Sequence, residues 1–160
     1  MSIHTLSVLV ENNSGALSRV AGLFSSRGYN ISSLAVAETD DPAVSRMTIV
    51  VDGEESMLEQ ITKQLNRLID VIKVIDFLEE PFIQREILLL RVECSKSNRH
   101  ELVALGNIFK AQVIAVTHNS MTFELTGNRQ KVEDFIAMVK PYGLKDIVRS
   151  GTVAITNPKK

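Results

Sequence analysis

Apolar residues recur along this chain at two spacings, and each change of spacing marks the start of a new element. Residues 3–10 alternate apolar and polar side chains, which predicts a strand with one strongly apolar face. Apolar residues then recur at helical spacing until Gly28, a residue type common at helix C-termini. The predicted buried stripe of this helix is Leu17, Val20, Ala21 and Phe24. The chain therefore opens with a strand, a turn and a helix.

Two strands, a helix and a fourth strand complete the first half. Residues 29–39 and 44–51 predict strands joined by the turn signal Asp40-Asp41-Pro42. The second helix has the apolar stripe Leu58, Ile61, Leu65 and Leu68. Residues 71–78 then read as a β-branched strand. The order β-α-β-β-α-β is that of a ferredoxin-like fold, with both helices on one face of an antiparallel sheet.

Polar residues suited to capping predict where the helices begin. Ser14 is the candidate N-cap of the first helix, and Asp52 with Glu55 forms a candidate capping box for the second. Ser97 and Asn128 are the candidates for two helices in the second half.

The second half repeats the order of elements without repeating the residues. Residues 79–86 interrupt the apolar periodicity with charged residues and Pro81, which indicates a linker. Strands are predicted over residues 87–94, 111–117, 121–126 and 144–148, with helix stripes of Leu102, Leu105, Ile108, Phe109 and of Val132, Phe135, Ile136, Val139. We therefore predict an α+β protein of two tandem ferredoxin-like domains, at residues 1–78 and 87–160, joined by the linker 79–86.

The sheet face away from the helices carries small or mildly apolar side chains in the first domain. Leu9, Ala35 and Ala37 belong to this face. A lone domain of this size would leave such a face bare, so we expect the protein to associate with itself.

Composition limits the classes of function that are open to this chain. A chain of 160 residues with 44% hydrophobic and 23% charged residues can bury a core, and its net charge of −1 gives no attraction to nucleic acid or to anionic membranes. Cys94 is the single cysteine, which excludes an internal disulfide and suggests a buried packing role. Neither a secretory signal pattern nor a bilayer-length apolar segment is found, so we expect a cytoplasmic protein.

No constellation of catalytic residues emerges from the sequence. It contains no phosphate loop or dinucleotide fingerprint, and His4, His100 and His118 are too far apart for a metal site. We expect each histidine to be an ordinary surface or edge residue. RNA binding is disfavoured as well, because the predicted central strands of the first half carry no aromatic platform.

The turn between the first strand and the first helix is the best candidate for a binding site. It runs from Asn12 to Leu17, and Gly15 lacks the Cβ that would keep a ligand from the backbone. Unpaired N–H groups at the start of a helix suit a carboxylate or a phosphate. From these residues alone, an ordinary capped turn that binds nothing is the favoured interpretation, because strand-turn-helix junctions are common and most bind nothing.

Several segments together resemble the regulatory (small) subunit of acetolactate synthase, a family whose first domain is an ACT domain. The segments are Leu6 to Val20, Leu23-Phe24, Arg27-Gly28-Tyr29-Asn30-Ile31, Ser45-Arg46-Met47-Thr48-Ile49, Gln84-Arg85-Glu86 and Arg149-Ser150-Gly151. The resemblance covers nearly the whole chain, and residues 95–106 depart most from the family pattern.

This resemblance implies a non-catalytic chain that activates a separate catalytic subunit and makes it sensitive to valine, the end product of the pathway. It implies no cofactor in this chain, with thiamin diphosphate, Mg and FAD in the large catalytic subunit. It also implies a homodimer through the ACT domains, with valine between the first turn of one chain and the second strand of its partner. The residues carried over as valine-binding are Asn12, Gly15, Ala16, Leu17, Asn30, Ile31, Leu34, Ala35, Val36 and Ala37.

Two other functions are compatible with the same residues. One is a free-standing ACT sensor of amino acids that acts on another enzyme or on transcription. The other is a structural dimerisation module.

Overall fold

The computed structural model describes residues 2–160 and contains two βαββαβ units with antiparallel sheets, so the predicted fold class is confirmed. The helices and strands are β1 Ser2–Glu11, α1 Ala16–Ser26, β2 Ile31–Glu38, β3 Val44–Gly53, α2 Glu55–Leu65, β4 Val71–Asp76, β5 Phe82–Glu93, α3 Arg99–Phe109, β6 Gln112–Val116, β7 Ser120–Gly127, α4 Arg129–Val139, β8 Leu144–Arg149 and β9 Val153–Thr156. A short 3-10 helix, Lys140–Tyr142, follows α4. No helix within residues 2–160 is long and apolar enough to cross a membrane.

The first unit has the sheet order β2-β3-β1-β4, so β1 and β3 are central and β2 is an edge strand. In the register of β1, Leu6 lies opposite Ile49 of β3, and Val8 lies opposite Val74 of β4. Strand and helix stripes meet in one core of Leu6, Val8, Val10, Ala16, Val20, Phe24, Met47, Ile49, Val51, Leu58, Ile61 and Leu65. The alternation read from residues 3–10 therefore identified the buried face of β1.

The outer face of this sheet is covered at its centre, contrary to the expectation that it would be bare. Ser7, Thr48 and Val50 are buried there. The C-terminal strand β9 lies against this face: the Thr152 N–H donates to Ser33 Oγ at 2.8 Å, and Ala154 is buried. Part of the covering that we attributed to a second chain thus comes from the end of the same chain.

The division into units differs from the predicted division at residues 79–86. Residues up to 83 and residues 152–160 form the first compact unit, and residues 84–151 form the second. Strand β5 already begins at Phe82, within the predicted linker. The last residues join the first unit because they hydrogen-bond to it, as in the Asn157 N–H to Pro81 O contact at 2.8 Å.

The second sheet has five strands: four follow the order β6-β7-β5-β8, and β9 also pairs with β5. The second unit has a core of its own. The core residues are Leu88, Leu90, Val92, Cys94, Leu102, Met121, Phe123, Leu125, Val132, Phe135 and Val139. Phe123 packs edge-on against Phe135 with 5.3 Å between ring centroids. Cys94 is buried, as predicted.

Capping is where the local predictions fail most. Asn128 does cap α4, with its side chain accepting from the Lys131 N–H at 2.9 Å. The residues predicted as the other caps, Ser14, Asp52 and Ser97, do not occupy the cap position, which belongs to Gly15, Glu54 and Asn98. None of these three caps makes a side-chain capping hydrogen bond. A cap depends on the backbone angles of one residue, which an apolar pattern does not fix.

Two apolar residues assigned to helix stripes are exposed. Leu17 is 44% exposed and Ile108 is 72% exposed. Helix α1 instead buries Ala16 together with Val20 and Phe24, a strict four-residue spacing that leaves Leu17 on the flank.

His4 is buried rather than lying at the surface, which corrects the sequence expectation. It continues the inward phase of β1 beyond Leu6 and is only 4% exposed. Its Nε2 lies 2.6 Å from Ser2 Oγ, and its Nδ1 has no hydrogen-bond partner among the described residues.

Candidate functional site

The turn between β1 and α1 has the backbone that its sequence suggested. Gly15 is the N-cap of α1 and has φ +86°, a left-handed conformation that favours glycine. The Ala16 N–H donates to Asn13 O at 3.2 Å, and the Arg19 N–H donates to Gly15 O at 3.0 Å. Within residues 2–160, the N–H groups of Gly15 and Leu17 have no acceptor. At Gly15, Ala16 and Leu17, which the resemblance carries over as valine-binding residues, two backbone N–H groups are therefore available to a ligand and that of Ala16 is already used.

Asn12 connects this turn to the hairpin of β2 and β3. Its side-chain Nδ2 donates to Glu38 Oε1 at 3.2 Å and to Pro42 O at 3.0 Å. Its backbone N–H donates to Ala43 O at 2.8 Å. Asn12 thus fixes the turn beside the C-terminal end of edge strand β2.

Asp70 stabilises the turn through hydrogen bonds, and it was not among the residues predicted from the sequence. Its carboxylate accepts from Arg19 Nε at 2.5 Å and from Asn13 Nδ2 at 3.4 Å, while its backbone O accepts from the Glu11 N–H at 2.8 Å. The Asp70 side chain is 6% exposed and the Arg19 side chain is 46% exposed. The hydrogen bond from Arg19 lowers the pKa of Asp70, although burial opposes the shift, and Asn13 lowers it further.

The sequence indicates that Arg19 lies beside Gly15, but it does not indicate the position of Asp70. Arg19 lies four residues after Gly15, which is one helical turn and places both on the same side of α1. Asp70 is far away in the sequence and precedes β4, so only the fold brings it to the turn.

The predicted residues of β2 divide between the two faces of the sheet. Leu34 packs against the core on the helix side. Ala35 and Ala37 line a groove of about 470 Å³ on the other side, together with Arg46 and Val153. The structure therefore does not bring these alanines to the Gly15 turn within one chain.

Asn30 and Ile31 lie at the opposite end of the sheet from the turn. Ile31 pairs with Val51, whereas Glu38, near Asn12, pairs with Ser45. Strand β2 has eight residues and so separates these ends by about 26 Å. One chain alone cannot place Asn30 and Gly15 around the same small ligand.

The arrangement provides backbone donors at the start of a helix that are suited to an anion. The free N–H groups lie at the positive end of the α1 dipole, where a carboxylate is stabilised. Within residues 2–160, no group of three or more His, Cys, Asp and Glu side chains is placed to hold a metal ion. The geometry of the Gly15 turn is suited to holding an anion.

Comparison with known proteins identifies the family that each half of the chain matches. Residues 6–73 match the family described as AHAS small subunit-like ACT domain. Residues 85–158 match the family described as small subunit of acetolactate synthase. The first unit is thus an ACT domain.

Relatives of the whole chain narrow this class to one family. The acetolactate synthase small subunit of Haemophilus influenzae is 50% identical over 97% of this chain and 96% of its own length. That of Mycolicibacterium smegmatis is 47% identical over 96% of this chain and 90% of its own length. The crystal structure of the Thermotoga maritima small subunit superposes with a TM-score of 0.88, at 36% identity and full coverage of both chains. This chain belongs to the acetolactate synthase small subunit family.

Proposed function

We propose that this chain is the non-catalytic regulatory partner of an acetolactate synthase catalytic subunit, which it activates and makes sensitive to valine. The observation that carries the proposal is the Gly15 turn, which presents two free backbone N–H groups in a chain of this family. The catalytic subunit, not this chain, would hold thiamin diphosphate, Mg and FAD.

Valine would bind at the turn through its carboxylate. The N–H groups of Gly15 and Leu17 donate to it, and the exposed Leu17 side chain contacts the isopropyl group. Asn12 acts mainly by positioning the turn, since its side chain is already bonded to Glu38 and Pro42.

The second wall of the valine site would come from another copy of the chain. Edge strand β2 has one free side, so two copies can pair their β2 strands antiparallel about a two-fold axis. Such pairing brings Asn30 and Ile31 of one copy beside Glu38 of the other, and therefore beside its Asn12 turn. Leu34 and Val36 would then complete the apolar lining.

Feedback inhibition requires valine to distinguish two states of the assembly. A ligand with equal affinity for both states shifts nothing. Valine would favour the state of the dimer that supports the catalytic subunit less well, and the dimeric site provides a means to do so because its walls belong to different chains.

Gly15→Asp tests the site. The new carboxylate occupies the place of the ligand carboxylate, so we expect valine binding to be lost in calorimetric titration while the protein stays folded. Gly22→Asp is the matched control, because Gly22 lies on the same helix with open space around it. Valine binding to Gly15→Asp with wild-type affinity would overturn the site, and so would equal loss in both variants.

A second experiment separates this function from a free-standing sensor. The chain is mixed with a purified catalytic subunit of acetolactate synthase, and pyruvate condensation is assayed with and without valine. We expect activation by the wild-type chain and inhibition by valine, with Gly15→Asp activating but remaining insensitive. Valine binding without any effect on the enzyme would favour the sensor.

A further inference from the structure

The guanidinium group of Arg19 lies directly over the Gly15 turn. A Cβ added to Gly15 would lie 3.0 Å from Arg19 Nη1. Two of the three guanidinium nitrogens are occupied, Nε by Asp70 Oδ2 at 2.5 Å and Nη2 by Ser14 O at 3.4 Å. Nη1 has no acceptor within residues 2–160. An unused charged donor therefore faces the space above the turn.

We infer that Arg19 is a second ligand of the effector carboxylate, through Nη1, and that Asp70 is the positioning residue that holds Arg19 over the turn. This inference rests on the proposed function, since it concerns the same valine site. It implies that the site selects molecules with a free, ionised carboxylate.

The second unit contains an arginine that already bridges two carboxylates in the proposed manner. Arg149 donates from Nη2 to Glu86 at 2.6 Å and from Nη1 to Glu133 at 2.8 Å. The Glu86 side chain is 3% exposed and that of Glu133 is 45% exposed. The pair of Arg19 and Asp70 reproduces the buried half of this arrangement, and a bound carboxylate would supply the exposed half.

Asp70 determines how much Arg19 can contribute. A free arginine side chain must lose rotamer freedom to bind a ligand, which opposes affinity. Asp70 removes much of that freedom beforehand, because it is buried and is itself fixed through Asn13 and Glu11. Arg19 therefore meets the ligand in one orientation, which suits the directional geometry of a guanidinium–carboxylate contact.

Selectivity between valine and valinamide provides the decisive measurement. A charge-assisted contact is lost with the neutral amide, so we expect wild-type protein to bind valinamide at least about tenfold more weakly than valine. In Arg19→Gln, valine affinity should fall about tenfold or more and the valine-to-valinamide ratio should shrink. Asp70→Asn should reduce both quantities to a smaller degree. Arg27→Gln, at the other end of α1, is the control and should change neither.

The experiment uses calorimetric titration of the full chain, with circular dichroism to confirm folding. An unchanged valine-to-valinamide ratio in Arg19→Gln would overturn the inference, even if both affinities fell together, because that pattern indicates a structural role. If Arg19→Gln does not fold, Arg19→Lys is measured instead. Lysine keeps the positive charge but lacks the planar guanidinium group that can bind two oxygens at once. Valine affinity and a valine-to-valinamide ratio equal to those of the wild type in this variant would contradict the inference.

Failure of the proposed function is distinguishable from failure of this inference. If Gly15→Asp binds valine as the wild type does, the site itself is misplaced. If Gly15→Asp abolishes binding while Arg19→Gln keeps the wild-type affinity and ratio, the site stands and only the role of Arg19 is refuted.

Discussion

Asp70 shows how one buried side chain can organise a turn made of residues distant from it in sequence. Its carboxylate accepts from Arg19 and Asn13, and its backbone carbonyl accepts from Glu11. These three residues belong to the end of β1, the turn and the first turns of α1. Hydrogen bonds to Asp70, which lies outside the turn, therefore stabilise it in addition to the hydrogen bonds within the turn itself.

The stability contributed by Asp70 should depend on pH in a definite direction. The hydrogen bond from Arg19 lowers the pKa of Asp70 in the folded protein, below the unfolded value of about 3.9. The contribution is therefore fully present above the unfolded pKa and is lost as the pH falls through the folded pKa. We expect the difference in free energy of unfolding between wild type and Asp70→Asn to be constant from about pH 5 to 7 and to shrink below about pH 4.

Urea unfolding at a series of pH values measures this difference. Asp40→Asn is the control, because Asp40 is exposed and its side chain has no hydrogen-bond partner among the described residues. A difference for Asp70→Asn that persists unchanged to pH 3 would contradict the prediction.

Helix α3 approaches its sheet closely, and a glycine makes this approach possible. Gly106 is buried on the inner face of α3, and a Cβ there would lie 2.7 Å from Phe123 Cε1. Phe123 is fully buried and packs against Phe135, so its ring has little room to move. The apolar pattern predicts a stripe on α3, but it does not reveal that Gly106, which has no side chain, completes the inner face of this helix.

Gly106→Ala should destabilise the second unit although alanine is the better helix former. Alanine gains about 1 kcal/mol over glycine in a helix interior, but overpacking a filled core costs about 1–3 kcal/mol. We expect net destabilisation in thermal or urea unfolding. Gly22→Ala is the control, since open space surrounds Gly22 in α1, and it should be neutral or stabilising. If both substitutions stabilise the protein, the Phe123 ring can shift to accommodate the added methyl group, and the prediction is wrong.

The elements themselves could be predicted because each depends on a repeating pattern. The alternation of Leu6, Val8 and Val10 and the four-residue spacing of Val20 and Phe24 both emerge in the core. Single-residue features could not be predicted in this way. Leu17 and Ile108 lie on the flank of their stripes, and a shift of one residue in helix phase moves a side chain by about 100° around the axis.

At the scale of the whole molecule, the first unit includes residues from both ends of the chain. Strand β9 lies on the outer face of the first sheet, where the Thr152 N–H donates to Ser33, and it also pairs with β5, next to the hydrogen bond from the Asn157 N–H to Pro81 O. Nothing in the local sequence of residues 152–156 reveals this destination, because four residues of strand pattern fit many edges and faces. The same limitation hid Asp70, since both features depend on long-range packing.

Deleting residues 152–160 should destabilise the first unit while leaving the second intact. The deletion exposes the outer face around Ser7, Thr48 and Val50, with an expected loss of about 1–3 kcal/mol. Hydrogen exchange resolves the effect: protection should fall in β1, in β3 and at the part of β5 that pairs with β9, and it should stay unchanged in β7. Unchanged protection in β1 would show that β9 contributes little there.

The return of β9 to the first sheet also sets an order of events during protein synthesis. The first sheet has all of its own strands once residue 83 has been made, but the segment that covers it begins only at residue 152. At a translation rate of about 5–20 residues per second, that interval lasts roughly 3–14 seconds. The nascent first unit therefore presents an uncovered sheet face and the open edge of β2 during this time, to chaperones or to a second nascent chain on the same message.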